Sequence, residues 1–320
     1  MSRGSYKLLL LTTCIIYLMF ATLSFIAFEG GSPAFPMDFN QVSQKYMTEM
    51  TPTSRISVLW TINVAYQFVW LLYSFVTLFR EGSATKVQSS YTIASYLVYA
   101  ILGAAWTFVW ARGHLYWSLA IIVVGQYALC VCYGWACSDL LYYLRYNEIT
   151  LESIRDVWCQ RMLVQNGIMF TLAFNAVWSF LIMDMFFTYE LEADSTTTSL
   201  VALAFLGLTV IVWFFLENTV LKDHTQFTCS HYAVFIGAFI SIHQQRRQSG
   251  DDPYGISALV IGLMAITCLL CCIRLVVLFF KSYEQRKRSE GEKLKLANRQ
   301  MRPDDTSSTS VKVYRTFTSF

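Results

Sequence analysis

Charge is scarce in this sequence. Asp, Glu, Lys and Arg make up 14% of its 320 residues and hydrophobic residues 55%, whereas a soluble domain carries about 25% charged residues. A core of this size cannot hide that much apolar surface, so a soluble globular enzyme is excluded as the simplest reading. Proline is scarce too, with five in the chain, and Pro33, Pro36 and Pro52 are gathered in one stretch. The apolar runs are therefore uninterrupted, and no pair of Gly/Pro-broken helices stands in corresponding halves as it does in many secondary transporters. There is no His-rich box and no phosphate-binding glycine loop; His114, His224, His231 and His243 are scattered. An enzyme is not expected on these grounds, nor a cofactor or a nucleic-acid partner. No N-x-S/T sequon occurs. The nine cysteines lie in or beside apolar runs, and Cys130, Cys132 and Cys137 lack the paired spacing of a zinc site. Neither an external disulfide framework nor a bound metal follows from them.

What is present is a series of apolar runs, at about 8–28, 58–79, 92–111, 117–144, 162–188, 199–221, 227–243 and 255–280. Roughly 20 apolar residues span the hydrocarbon of a bilayer as a helix, whose backbone satisfies its own hydrogen bonds. The fold class expected is all-α, a polytopic transmembrane helical bundle of about eight spans. The first run, preceded by Arg3 and Lys7, shares features with a secretory signal but is long for one, and is read as a retained span. The seventh run is short and carries His231 and His243. Losing it would reverse the side of everything that follows.

Lysine and arginine set the orientation. With the amino terminus in the cytosol, Arg80, Lys86, Arg145, Arg155, Arg161, Lys222 and the tail from Lys281 are also cytosolic, while the acidic Glu190, Glu192, Asp194 loop and the neutral Arg246, Arg247, Asp251, Asp252 loop lie outside. Both ends are then cytosolic, in a membrane whose identity the sequence does not name. From Lys281 the composition turns basic and then Ser/Thr-rich, marking 281–320 as a tail, helical near the membrane. Arg286, Lys287, Arg288, Lys293 and Lys295 fit either a stop-transfer flank or a contact with anionic membrane lipid. The ending Thr318, Ser319, Phe320 has the spacing of a weak PDZ-type ligand.

Ionisable groups inside the apolar runs are few. Asp139, Asp184 and Glu217 are read as solvated at the interface and Arg274 as snorkelling, with no charge pair at the midplane. Polar stripes are clearer. Trp60, Asn63, Gln67 and Trp70 recur at spacings of three, four and three, which is one face of a helix. Trp106 and Trp110 form a similar stripe in the third run, and Thr171, Asn175 and Trp178 one in the fifth. Two readings stand side by side. In one, the amides bridge neighbouring helices; in the other, indoles wall a cavity and amides fix a ligand's polar atoms. Trp117 and Trp158, at the ends of runs, read as interface anchors. Gln165 and Asn166 read either as caps of the fifth helix, the simpler reading, or as the lining of an inner vestibule.

The segments MTPTSRISVLWTINVAYQFVW, YAILGAAWTFVWARGHLYWSLAIIVVGQYAL and NAVWSFLIM resemble the tryptophan-rich sensory protein and translocator protein family. The resemblance covers about residues 8–188 and is similar also to animal multi-pass proteins in which further helices follow such a module. It implies a five-helix module over 1–188, three additional transmembrane helices over 189–280, and a pocket for porphyrins, sterols or other small hydrophobic ligands closed by the first long loop. The positions it carries over are Pro52, Trp60, Trp106, Asn175 and Trp178. The sequence departs from the family at Arg55 and Val64, where aromatic residues are expected. The function expected is binding or movement of a small hydrophobic ligand by Trp60, Asn63, Gln67, Trp70, Trp106, Trp110, Asn175 and Trp178. The alternatives are a secondary transporter or channel, or a scaffold or receptor acting through its tail.

Overall fold

The computed structural model describes residues 3–79, 87–146, 151–222, 224–250 and 255–300, with only the backbone described at 3, 151–153, 249, 282 and 284–300. Arg80, Lys86, Asp251, Asp252 and the ending Thr318, Ser319, Phe320 lie outside the described residues, as do the side chains of Arg286, Lys287, Arg288, Lys293 and Lys295.

Apart from the connections between helices, the described chain is helical, with no strand. Its helices are α1 (Arg3–Glu29), α2 (Phe39–Lys45), α3 (Ser57–Thr77), α4 (Ser90–Trp110), α5 (Leu115–Tyr146), α6 (Leu151–Cys159), α7 (Asn166–Tyr189), α8 (Ser195–Asn218), α9 (Ser230–Ser249) and α10 (Ile256–Gln300). A π-helical segment, Gln160–Gln165, runs α6 directly into α7, and a 3-10 turn, Ser54–Ile56, leads into α3. Seven of the described helical stretches are long and apolar enough to cross a membrane: α1, α3, α4, α5, the α6–α7 rod, α8 and α10. The protein is a polytopic all-α bundle.

One boundary differs from the sequence reading. The fifth span was expected at 162, yet the helix starts at Leu151. Its first turns, LESIRDVWC, place apolar residues at helical spacing among charges, so no apolar run announces them. The last helix runs past 280 into the tail read as helical near the membrane. It continues to Gln300, and 45 residues at 1.5 Å each make about 67 Å, twice the hydrocarbon thickness.

Helix α7 is the centre of the bundle: 78% of its most apolar window is buried, against 17–39% for the other membrane-length helices. Apolar residues around its whole circumference suit that place. The outer helices expose large apolar side chains, among them Leu8, Tyr127, Phe215 and Phe279, each at least 61% exposed. A water-soluble surface does not carry so many; hydrocarbon is the solvent that accepts them.

Helix α9 is long but too polar to pass as a membrane span on hydropathy. Even so, its two ends reach opposite faces of the bundle. Its start is held by Asn166 at the beginning of α7, while Ser241 meets Thr53 and Arg246 pairs with Glu49 in the loop between α2 and α3. Tyr232, Val234, Phe235, Ala238, Phe239 and Ile242 are all buried. An inner helix meets protein rather than lipid, so its polarity costs little.

The polar groups read as interfacial have defined partners. Asp139 is half-buried and accepts from Ser89 N and Thr92 Oγ1, both at 2.7 Å, which fastens the start of α4 to α5. Asp184 is buried and accepts from Ser199 Oγ at 2.8 Å. Glu217 and Arg274 do not reach solvent at all: both are 0% exposed, and Arg274 Nε lies 3.6 Å from Glu217 Oε1. Interfacial solvation and snorkelling are thereby corrected to a sealed pair. Asn166 caps, but it caps α9: its Oδ1 accepts from Cys229 N and Ser230 N, and its Nδ2 donates to Arg161 O and Phe227 O. The fifth helix needs no cap there, because it has already run from Leu151.

Candidate functional site

Five helices converge beneath α2, with Phe20 of α1 at one wall. Trp60 and Asn63 from α3, Trp106 from α4, Ile121, Ile122 and Gly125 from α5, and Phe174, Asn175 and Trp178 from α7 enclose a cavity of about 50 Å³. A second hollow of about 30 Å³ lies toward Pro52, Thr53 and Ser57, and the two share Phe39, Trp60 and Trp178 in their walls.

The indoles gather for reasons of helical spacing. Trp106 and Trp110, four residues apart on α4, stack at 5.6 Å and 16° between planes. Trp178 meets both edge-on, at 6.1 and 5.7 Å. Such offset and T-shaped pairs add about 0.5–1.5 kcal/mol each beyond burial.

Into this cage comes Phe39, the first residue of α2. Its ring stacks on Phe28 at 5.4 Å and stands 5.6 Å from Trp106, 6.1 Å from Trp110 and 6.1 Å from Trp178. Asp38 fixes where α2 begins through a capping box, accepting from Gln41 N while Gln41 Oε1 accepts from Asp38 N. The rest of the loop is tied down around it. Tyr46 Oη donates to Gly113 O at 3.1 Å, Tyr189 Oη to Met47 O at 2.7 Å, and Thr53 Oγ1 lies 2.9 Å from Ser241 Oγ. Gly113 has φ +70°, and a Cβ there would press on the Tyr46 hydroxyl at 3.1 Å. A side chain at that turn would disturb both the turn and the loop.

Two amides border the cavity with one group committed and one free. Asn63 Oδ1 accepts from Thr171 Oγ1 at 2.7 Å. Asn175 Nδ2 donates to Gln126 Oε1 at 3.0 Å and Ile122 O at 3.2 Å. Asn63 Nδ2 and Asn175 Oδ1 have no hydrogen bond among the described residues, leaving one donor and one acceptor for an occupant.

Of the eight residues singled out in the sequence, Trp60, Asn63, Trp106, Asn175 and Trp178 line this cavity. Trp110 is fully buried behind Trp106. Gln67 and Trp70 lie one and two turns further along α3, away from the cavity. Gln67 Nε2 donates to Gly167 O at 2.8 Å and its Oε1 accepts from Trp70 Nε1 at 2.6 Å. Nearby side chains take carbonyls in and just after the π-helical segment, where the regular ladder is disturbed. Tyr66 Oη takes Met162 O, Asn166 takes Arg161 O and Gln67 takes Gly167 O. The same stripe thus divides into a cavity half and a half that clamps α3 to the irregular start of α7.

Sequence reasoning missed two things. One is Phe39, whose only signal was an aromatic residue just after a capping box, D-F-N-Q. The other is a cluster on α8, α9 and α10 in which Glu217, His231 and Arg274 are each 0% exposed. No spacing announced it, because its members are drawn from three helices.

Compared with known protein families, characterised proteins and solved structures, the chain matches none.

Proposed function

We propose that this multi-pass membrane protein binds a small, flat hydrophobic ligand of the porphyrin or sterol kind in the tryptophan cage, in the manner of the tryptophan-rich sensory and translocator proteins it resembles. The observation that supports this most is the convergence of Trp60, Trp106 and Trp178 with two half-satisfied amides on one cavity inside the bundle. Indoles offer flat apolar area at low entropic cost, and the free amide atoms orient a polar edge.

The resting cavity, about 50 Å³, holds a few water molecules. A drug-sized ligand needs roughly 300 Å³ or more. Phe39 supplies part of the difference in this reading: its ring stands in the walls of both hollows, and moving it out of the cage joins them, the rest coming from movement of the loop. Binding therefore exchanges one aromatic ring for another, and α2 is the part of the loop that moves.

Tryptophan fluorescence quenching of the purified protein by protoporphyrin and by a fluorescent sterol tests the proposal. Saturable quenching that is lost in a folded Trp60→Ala variant and strengthened in Phe39→Ala is the expected result. Linear quenching that is the same in all three proteins would leave the cage as packing alone.

A further inference from the structure

The cluster on the three additional helices carries a separate inference. Glu217 near the end of α8, His231 in the first turn of α9 and Arg274 in α10 meet where no solvent reaches, each 0% exposed. Arg274 is well held: its Nη1 donates to Asn218 Oδ1 at 3.0 Å, its Nη2 to Thr225 O at 2.6 Å, and its Nε lies 3.6 Å from Glu217 Oε1. Tyr232 Oη donates to that same Oε1. The other half of the site is not satisfied. Glu217 Oε2 makes no well-formed hydrogen bond, although the Trp213 indole faces the carboxylate, and neither ring nitrogen of His231 makes one. The nearest approach between them is His231 Nε2 to Glu217 Oε2, at 3.6 Å.

A buried carboxylate oxygen without a well-formed hydrogen bond, facing a buried imidazole without an acceptor, is an expensive arrangement to keep inside a membrane. With Arg274 protonated, Glu217 ionised and His231 neutral, the cluster's net charge is zero. One added proton on the His231 imidazole lone pair turns the unsatisfied contact into a charge-assisted one and takes the cluster to +1. The other titratable groups facing it are Tyr133 from α5, Cys229 before α9, Tyr232 from α9 and Cys271 from α10. Arg161, in the π-helical segment before α7, lies instead over the Phe227 ring, 4.3 Å from its centroid.

We propose that Glu217 and His231 form an intramembrane proton-binding site, in which one exchangeable proton is held between the carboxylate and the imidazole against the fixed charge of Arg274. The site owes nothing to the tryptophan cage. It gives the additional helices a role in proton uptake, and the charge it gains falls on the contact that joins α8 and α10 to the start of α9.

Trp213 reports on it, because the indole meets the His231 ring edge-on at 6.1 Å, close enough for a protonated imidazole to quench it, and also faces the Glu217 carboxylate. The experiment follows emission of the full chain in lipid nanodiscs over about pH 4 to pH 9, the range in which histidine switches. The Trp213→Phe variant is subtracted to isolate one indole. The expected result is a single-proton titration of Trp213 that disappears in His231→Gln, with the midpoint lowered in Glu217→Gln because the stabilising anion is gone. His231→Asn serves if His231→Gln does not fold. A flat Trp213 signal in the unsubstituted protein overturns the proposal, and so does a titration that survives loss of the imidazole or an unchanged midpoint in Glu217→Gln.

Discussion

Replacing Gln67 by leucine separates the two meanings of the α3 stripe. The side chain is buried and makes two bonds, to Gly167 O at 2.8 Å and from Trp70 Nε1 at 2.6 Å. Leucine fills a similar volume, so cavity creation is a minor loss. Gly167 O keeps a second partner, Thr171 Oγ1 at 3.1 Å, and losing one interhelical bond inside a membrane costs about 0.6 kcal/mol. Trp70 is 0% exposed and its N–H has no substitute acceptor, so it is orphaned at about 1–3 kcal/mol. The sum is about 2 kcal/mol. Reversible unfolding in mixed micelles measures it, and ligand quenching at matched folding measures the site. The expected outcome is a loss of about 2 kcal/mol with affinity unchanged. A second arm, Trp70→Phe, removes the orphaned donor, so the double variant should lose less than the sum of the singles by about 1 kcal/mol. Full additivity, or a folded Gln67→Leu that no longer binds, would refute the assignment of Gln67 to the clamp.

Asn166→Ala should be among the more damaging single substitutions, because it removes the cap of α9 and the bridge to Arg161 O and Phe227 O together; about 2 kcal/mol or more is expected by the same unfolding assay. Asp194 caps α8 outside the membrane, accepting from Thr197 Oγ1 and Thr197 N, and these bonds hold its carboxyl below the ordinary carboxylate value. A lowered folded-state value means the stabilisation is complete above the unfolded carboxylate range and is lost as pH falls through the lowered one. The difference in stability between the unsubstituted protein and Asp194→Asn, which keeps an acceptor without the charge, should shrink over that acid window and stay constant above it.

Helix positions were legible in the sequence because a bilayer demands long apolar runs, and a run is a local property. The cage was legible in part for the same reason: Trp106 and Trp110, or Asn175 and Trp178, sit on one helix, and spacing alone places each pair on a shared face. Nothing local says which end of such a face meets a cavity. Gln67 and Trp70 continue the stripe of Trp60 and Asn63 without a break, and only the Gly167 carbonyl of a different helix decides that they clamp rather than line. Phe39 and the Glu217, His231, Arg274 cluster depend on contacts between segments far apart in the chain. For those, burial was the missing quantity: a residue near the end of an apolar run looks solvated until the neighbouring helices are seen to cover it.

Helix α9 shows the same point in reverse, and it decides the topology. Hydropathy rejects it, since His231, Ser241, His243, Gln244, Gln245, Arg246 and Arg247 all lie within it. Hydropathy measures the cost of facing lipid, however, and α9 turns its middle to α7, α10 and the 3-10 turn before α3. Twenty residues reach about 30 Å, the thickness of the hydrocarbon. Its contacts fix the direction, from Asn166 at one face to Thr53 and Glu49 at the other. With α9 crossing, the turn after α9 lies on the same side as the turn between α7 and α8, and the turn between α8 and α9 lies opposite. Acceptor sites for glycosylation, inserted one at a time into these three turns, test the arrangement without assuming which side is cytosolic. The first two should be modified alike and the third differently. If the turn after α9 instead behaves like the turn before it, α9 does not cross, and its contacts with the loop around Thr53 would have to be abandoned.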